Sequence, residues 1–399
     1  MALSESDETA RDTNQWYIRL EPRGKMEIPV KVYIQTPKWF IRRRNTDWRY
    51  TRFLIPRISE FVQNCAFYPA RSNSTVLRVH LKWARGILYR ELKISESHDR
   101  SSTLDRREFA KSGCDLVFCH DDFPRNADSI PVVWHNSILD PAMVRARGAS
   151  DEDLAIEREV KSRGFQKAAA VLVSTEAERT RLGQWFPRIA DKFVAVPFFL
   201  PDVKPIAPDR MNKKVERIGP LRCLFVGNEA RRKGLDRVYA AMVRLPASVQ
   251  KQIHLTVVSA QTDGPIAAPS LPNLRVTNAL PFNQVLQRMQ DSDVLLMPSY
   301  FESYGLVYLE AMAQGAIPVV PDWEVQREIV DDGKAGIVTS GDAADLASSL
   351  ECLCDDSDLR TRLALSAKQR FDQYFAPSIV ARKYSAMFHR AASRPFGIQ

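Results

Sequence analysis

No apolar run in this 399-residue chain comes near the roughly 20 consecutive residues that a membrane-spanning helix requires, so none is expected. No CxxC pair occurs among its six cysteines, Cys65, Cys114, Cys119, Cys223, Cys352 and Cys354, and no histidine cluster joins them at zinc-ligand spacing. Buried, reduced thiols are expected rather than a zinc site or a disulfide framework. The opening MALSESDETARD lacks the basic and apolar segments of a signal or transit peptide. It reads as a loosely ordered tail over residues 1–27 of a cytoplasmic chain. Short repeats and low-complexity segments are missing too. The basic residues are not gathered into a nucleic-acid-binding motif, so no nucleic-acid partner is expected.

What is present fits a globular protein with room for two domains: 45% hydrophobic and 26% charged residues. The formal charge of +9 suits an anionic small molecule or an anionic membrane surface.

Strand and helix patterns alternate twice along the chain. Apolar strand-like runs fall at 30–35, 115–120, 131–135, 170–174 and 192–197, then at 221–226, 253–259, 274–278, 294–297 and 317–320. Helical spacing fills 152–165, a segment from Thr175 with Glu178 as a capping-box partner, 235–244, 284–290, 305–314 and 345–353. A long helical stretch, 359–390, is interrupted at Pro377. The proline-rich, charged segment between the two series reads as a linker. The expected division is an N-terminal domain over 28–205, a linker over 206–219, a second domain over 220–376 and a C-terminal helix over 377–399 that packs back on the first domain. Alternating strands and helices imply parallel sheets wound by helices, an α/β fold whose ligands sit at the carboxyl ends of the strands.

The densest signal lies in residues 297–321, MPSYFESYGLVYLEAMAQGAIPVVP. It reads as strand, polar turn, helix, glycine stop, strand. The turn leaves backbone N–H groups at a helix N-terminus aimed past the strand end, which makes an anion seat. Ser303 is expected to cap the helix, and Gly305 lets the backbone approach a ligand. Leu306, Leu309, Met312 and Ala313 mark one apolar face, and Gly315 suits a left-handed helix stop. Glu302 in the turn and Glu310 in the helix can accept hydrogen bonds from hydroxyls. Phosphate on one side and hydroxyls on the other is the chemistry of a nucleotide-sugar. A glycosidase pair is disfavoured: retaining glycosidases need carboxylates about 5–5.5 Å apart, whereas eight helical residues span ~12 Å.

A second signal is Phe225-Val-Gly-Asn-Glu-Ala-Arg-Arg-Lys-Gly234. A strand ends at Gly227, a helix begins near Gly234, and Arg231, Arg232 and Lys233 stand between them, where fixed cations can neutralise a diphosphate. His135 ends an apolar strand and is a candidate for the cleft; His120, beside Asp121 and Asp122, is a weaker one. The acids Asp151, Glu152 and Asp153 precede a helix and are read as offsetting its dipole rather than binding metal. No metal and no cofactor are expected. Basic and aromatic residues mix at Lys38, Trp39, Arg42, Arg43, Arg44 and Trp48, and Leu77, Leu81, Ala84, Leu88 and Leu92 share one face with Arg78, Lys82 and Arg85 around it. Both stretches fit contact with an anionic membrane or a phospho-acceptor about as well as a helix covering the core.

Together these residues resemble a family 4 glycosyltransferase of the GT-B fold. The family's E-S-[FY]-G-L-x-x-x-E-A-M-A-x-G-x-P-V-V signature is matched from Glu302 through Gly315 to Val320, its E-x-x-x-x-G-x-x-G segment from Glu328 to Gly336, and its G-R-x-x-x-x-K-G loop from Gly227 to Gly234, with Asn228 in place of the arginine. The glycine-rich loop that usually follows the first strand is replaced by Thr36-Pro-Lys-Trp39. The resemblance implies two Rossmann-like, doubly wound domains facing across a cleft, and retaining, metal-independent transfer from a nucleotide-sugar to a glycan or lipid-linked acceptor in surface polysaccharide synthesis. It implies that Glu310 binds the ribose, Glu302 faces the sugar, and the amides of Ser303, Tyr304, Gly305 and Leu306 lie by phosphate or sugar. Lys233 would pair with the diphosphate, and His135 would lie near the reacting carbon. The departures at Asn228 and at the glycine loop keep open a non-catalytic protein of the same fold that binds nucleotide-sugar or glycan.

Overall fold

The computed structural model describes residues 148–393 throughout and, before them, 30–35, 62, 65–69, 104, 106–120, 123–124, 126–136, 138 and 141–146. The tail over 1–27, the basic and leucine-rich stretches around Lys38 and Leu77, the Thr36–Trp39 loop, Asp121 and Asp122 lie outside the described residues.

Among the described residues, twelve strands form two six-stranded sheets. The first holds β1 (Val30–Gln35), β2 (Cys65–Pro69), β3 (Leu116–His120), β4 (Val132–His135), β5 (Ala170–Val173) and β6 (Phe193–Ala195), in the order β2-β1-β3-β4-β5-β6. The second holds β7 (Leu221–Val226), β8 (Ile253–Val258), β9 (Leu274–Thr277), β10 (Val294–Leu296), β11 (Ile317–Pro321) and β12 (Ile337–Thr339), in the order β12-β11-β10-β7-β8-β9. Every resolved pairing is parallel, from β1 with β2 and β3 to β10 with β7 and β11. Strands such as Leu116–Cys119 and Val294–Leu296 are buried residue after residue, which explains why they read as unbroken apolar runs.

By contacts the chain divides into Met1–Trp134 with Ser385–Gln399, and His135–Tyr384. In the first unit Phe118 meets Phe388 edge-on, with centroids 5.4 Å apart, and Tyr33 meets Phe109 in the same way at 5.7 Å. In the second, the helix Leu306–Ala313 is buried from Tyr308 onward on nearly every side. It is therefore a central helix, not the one-faced amphipathic helix its leucine spacing suggests.

Three local expectations change. The proline-rich segment after residue 205 contains a helix, Pro208–Val215, whose Met211 and Lys214 are buried. Pro208 opens that helix, because a first-turn proline removes no intrahelical bond. Pro377 likewise opens the helix Pro377–Ser393, after a π-helical turn over Phe371–Phe375 that follows Ser357–Arg370. The capping box at Thr175 is half formed. Its hydroxyl accepts from Glu178 N at 3.2 Å, but the Glu178 carboxylate takes the amide of Ser174 instead. The complete box is at Ser150, whose side chain and Asp153 exchange bonds across the first turn of Asp151–Lys167. All six cysteines are free thiols, but only Cys65, Cys119 and Cys223 are buried; Cys114 and Cys354 are half-buried and Cys352 is exposed.

Candidate active site

Two loops at the carboxyl ends of β7 and β10 build the site, and each needs a glycine where it enters its helix. After β7, Lys233 N donates to Glu229 O at 2.9 Å and Gly234 N to Arg231 O at 3.0 Å, closing the turn. Gly234, at φ +83°, precedes Leu235–Arg244, and a Cβ there would lie 2.3 Å from the Pro298 carbonyl oxygen. The loop can therefore lie against the segment leaving β10 only as glycine. At Gly227 a Cβ would lie 3.0 Å from Lys233 Cγ, so that glycine leaves room for the lysine stem to fold over the strand end.

After β10, Gly305 at φ +88° takes the N-cap position of Leu306–Ala313. A Cβ on it would lie 2.2 Å from the ring of Tyr308, which is fully buried and donates its hydroxyl to Met297 O at 3.0 Å. Ser303 is not the cap: it is exposed, and no side chain caps this helix. The left-handed glycine occupies the position a serine cap would need, which leaves the first amides, of Leu306 and Val307, without an internal acceptor; Tyr308 N already donates to Gly305 O at 3.0 Å.

The charged groups converge between these loops. Lys233 Nζ pairs with the Glu302 carboxylate, and Arg232 lies 3.8 Å from the same oxygen. Arg232 also bonds Glu229 through Nε at 2.9 Å, donates from Nη1 to Phe301 O at 2.7 Å, and gives its backbone N–H to Asp263 at 2.9 Å. It fastens one loop to the other. Arg231 is exposed and makes no ion pair among the described residues. Asn228 serves the backbone: its Oδ1 accepts from Ala260 N at 3.2 Å and its carbonyl from Thr262 N at 2.7 Å, tying the loop after β7 to the one after β8.

Both motif carboxylates are buried, Glu302 in the turn and Glu310 in the second turn of the helix. Tyr304 is buried and packs on Phe198 with centroids 4.6 Å apart, and Phe198 packs on the His135 ring at 5.1 Å. This aromatic line joins the end of β4 to the β10 turn. His120 ends β3 half-buried.

Gln326 left no local trace in the sequence, and the motif that begins at Glu328 gave no sign of what that carboxylate holds. Gln326, with no exposed surface, donates Nε2 to the carbonyls of Glu302 at 3.1 Å and Tyr304 at 3.0 Å. Glu328, on the same helix Glu324–Ile329, accepts the amides of Glu176 at 2.8 Å and Ala177 at 2.7 Å, capping Glu176–Trp185 from outside. Arg181 on that capped helix reaches Glu324 at 3.3 Å. Nearby, burial pushes the Glu178 carboxyl up to about 7 against the pull of Arg181. Among the described residues no group of His, Cys, Asp and Glu gathers to hold a metal ion.

Residues 208–370 match the family model of glycosyl transferases group 1. That stretch contains the loops of Lys233 and Glu302 but not His135. The chain is 30% identical over 185 residues to the glycogen synthase of Mycobacterium tuberculosis (strain ATCC 25618 / H37Rv), an alignment covering 45% of this chain and 44% of that protein. It is 35% identical over 104 residues to the phosphatidyl-myo-inositol mannosyltransferase of Mycobacterium leprae (strain TN), covering 25% of this chain and 28% of that one. The alignments thus span less than half the length of these curated relatives. Among solved structures, the sucrose-phosphate synthase from Thermosynechococcus elongatus superposes with a TM-score of 0.59 at 14% identity, over 90% of this chain and 98% of the other. That likeness shows the fold: two Rossmann-like α/β domains of the GT-B kind.

Proposed function

We propose that the chain is a nucleotide-sugar-dependent glycosyltransferase that retains anomeric configuration, needs no metal, and delivers the sugar to a glycan or lipid-linked acceptor in surface polysaccharide synthesis. The observation that carries this reading is the cluster of Lys233, Arg232 and Glu302 beside the uncapped helix start at Gly305. The family match over 208–370 supports it. Glycogen and phosphatidyl-myo-inositol, in the names of the two relatives, support the glycan and lipid alternatives for the acceptor. In this reading the chain works in the cytoplasm, peripheral to the inner face of an anionic membrane.

The chemistry follows from the charges. As the bond from the sugar's anomeric carbon to the diphosphate breaks, its electron pair stays on the phosphate oxygen. Arg231, Lys233 and the amides of Tyr304, Gly305 and Leu306 meet that charge; the amides are held in place before the reaction begins. The acceptor hydroxyl attacks from the face the diphosphate is leaving. Its proton therefore has the departing oxygen as the nearest base. Glu310 holds the ribose, Ser303 and Glu302 face the sugar, Gly227 and Asn228 border the diphosphate, and His135 stands near the reacting carbon. Diphosphate binding draws Lys233 away from Glu302, freeing that carboxylate for a sugar hydroxyl.

Screening UDP-, GDP- and ADP-sugars by thermal stabilisation, followed by transfer assays, tests the reading. A donor at 100 times its Kd stabilises by about 2.7 kcal/mol. Full transfer activity in Glu302→Ala would remove its assigned role. A non-catalytic binding protein is the second reading, favoured by one observation: Asn228 bonds neighbouring backbone where the family signature has a cation. Donor binding by calorimetry with no turnover on any acceptor extract would select it.

A further inference from the structure

We infer that Gln326 is a positioning residue for the nucleotide-sugar: its side-chain amide sets the Glu302–Gly305 turn so that the turn's amides point at the ligand. The inference rests on the reading of that turn as the sugar-phosphate seat. Gln326 is fully buried, and one nitrogen bonds two carbonyls, of Glu302 and Tyr304, on either side of Ser303. Carbonyl oxygens only accept hydrogen bonds, so the nitrogen and not the oxygen of the amide must face them; chemistry fixes the orientation. With both carbonyls held inward, the peptide planes of the turn are pinned.

The N–H groups of Tyr304 and Gly305 belong to those pinned or adjoining planes, and the Leu306 N–H opens the helix. None of these residues bonds Gln326 through its own side chain. The glutamine acts through the backbone it holds. Its helix is short, Glu324–Ile329, but anchored at its other face by Glu328 on the amides of Glu176 and Ala177. The support for the turn is therefore itself fixed, as a seat accurate to a fraction of an ångström requires.

The test uses the full chain with two substitutions. Gln326→Met keeps the length and burial but removes both bonds. Hydrogen exchange of the ligand-free protein, read at residues 303–306, should accelerate at least about tenfold, with exchange in β7 and β11 unchanged. The kcat/KM for the nucleotide-sugar should fall about tenfold, while the affinity for the free nucleoside monophosphate, which Glu310 holds at the ribose, stays within about twofold. Gln326→Glu has the same shape but presents a carboxylate to two carbonyl oxygens. Protonated, it can donate again. Donor affinity of Gln326→Glu relative to Gln326→Met should therefore rise as pH falls from 8 to 5, a limb absent from the wild-type ratio. Taking the ratio cancels pH effects common to both variants. If Gln326→Met does not fold, the pH limb of Gln326→Glu taken relative to the wild type decides.

Unchanged exchange at 303–306, equal losses for nucleotide-sugar and free nucleotide, or a flat pH ratio would overturn the inference. Accelerated exchange in a chain whose wild type binds no nucleotide-sugar would instead sink the transferase reading and leave Gln326 as the holder of the turn.

Discussion

Lys233 and Glu302 form an ion pair that joins the loop leaving β7 to the turn leaving β10, with both side chains largely shielded from solvent. The two loops meet because β7 and β10 are neighbours in the sheet. The cation proposed to meet the diphosphate and the carboxylate proposed to face the sugar neutralise one another.

Removing one partner strands the other. Lys233→Met should destabilise the chain by about 2 kcal/mol, less than the ~3–5 kcal/mol of a fully buried pair because Arg232 remains 3.8 Å from Glu302. Lys233→Met with Glu302→Gln should recover most of that loss in urea unfolding yet show no transfer. A double variant as unstable as the single one would mean the pair is not the source of the effect.

Gly305 and Gly333 separate backbone strain from steric overlap. Both have positive φ, +88° and +93°, but a Cβ on Gly333 meets nothing within 4 Å. Gly333→Ala should cost only the left-handed penalty, about 1–2 kcal/mol. Gly305→Ala drives a methyl into the buried Tyr308 ring and should cost at least ~3 kcal/mol, with donor binding lost. Equal urea midpoints for the two variants would contradict the overlap.

Lys214 donates to the carbonyls of Met289 at 3.2 Å and Gln314 at 2.9 Å, at the ends of two helices. Burial lowers its ammonium from 10.5 to about 7, with Asp293 opposing. Between those values the unfolded chain holds a proton the folded chain has released, so stability from this group rises with pH across that window and the penalty is complete below it. Relative to Lys214→Met, the wild type should gain stability from pH 7 to 8.5; the thiols are common to both proteins and cancel in the difference. A constant difference would argue against the lowered ammonium.

Glu178 has the opposite sign. Its carboxyl is raised from 4.5 to about 7 by burial, with Arg181 opposing. From pH 4.5 to 7 the folded chain keeps a proton the unfolded chain has lost, so stability from this group falls as pH rises. Glu178→Gln should be more stable than wild type at pH 8, by on the order of 1–2 kcal/mol, and the advantage should vanish below pH 5. Equal Tm values at pH 8 would refute it.

Much of the fold could be read before any coordinates. β1 and β7 fall where their apolar runs place them, and the helix Leu235–Arg244 matches its spacing residue for residue. The strands Cys65–Pro69 and Ile337–Thr339 and the helix Pro208–Val215 escaped. Each is short, at five, three and eight residues, which leaves too few positions for a period to show. Gln314 illustrates the difference: it ends its helix as expected, but its amide is spent on the Lys204 carbonyl, 110 residues earlier.

Local pattern alone determined the alternation of strands and helices, the glycines at 234, 305 and 315, and the paired glutamates in the turn and its helix, because backbone geometry and side-chain period are properties of consecutive residues. Strand order decided the rest. Placing β10 beside β7 brought Lys233 to Glu302, and the packing of Glu324–Ile329 brought Gln326 beneath the turn. Those partners are 69 and 24 residues apart, and no periodicity reaches across such distances.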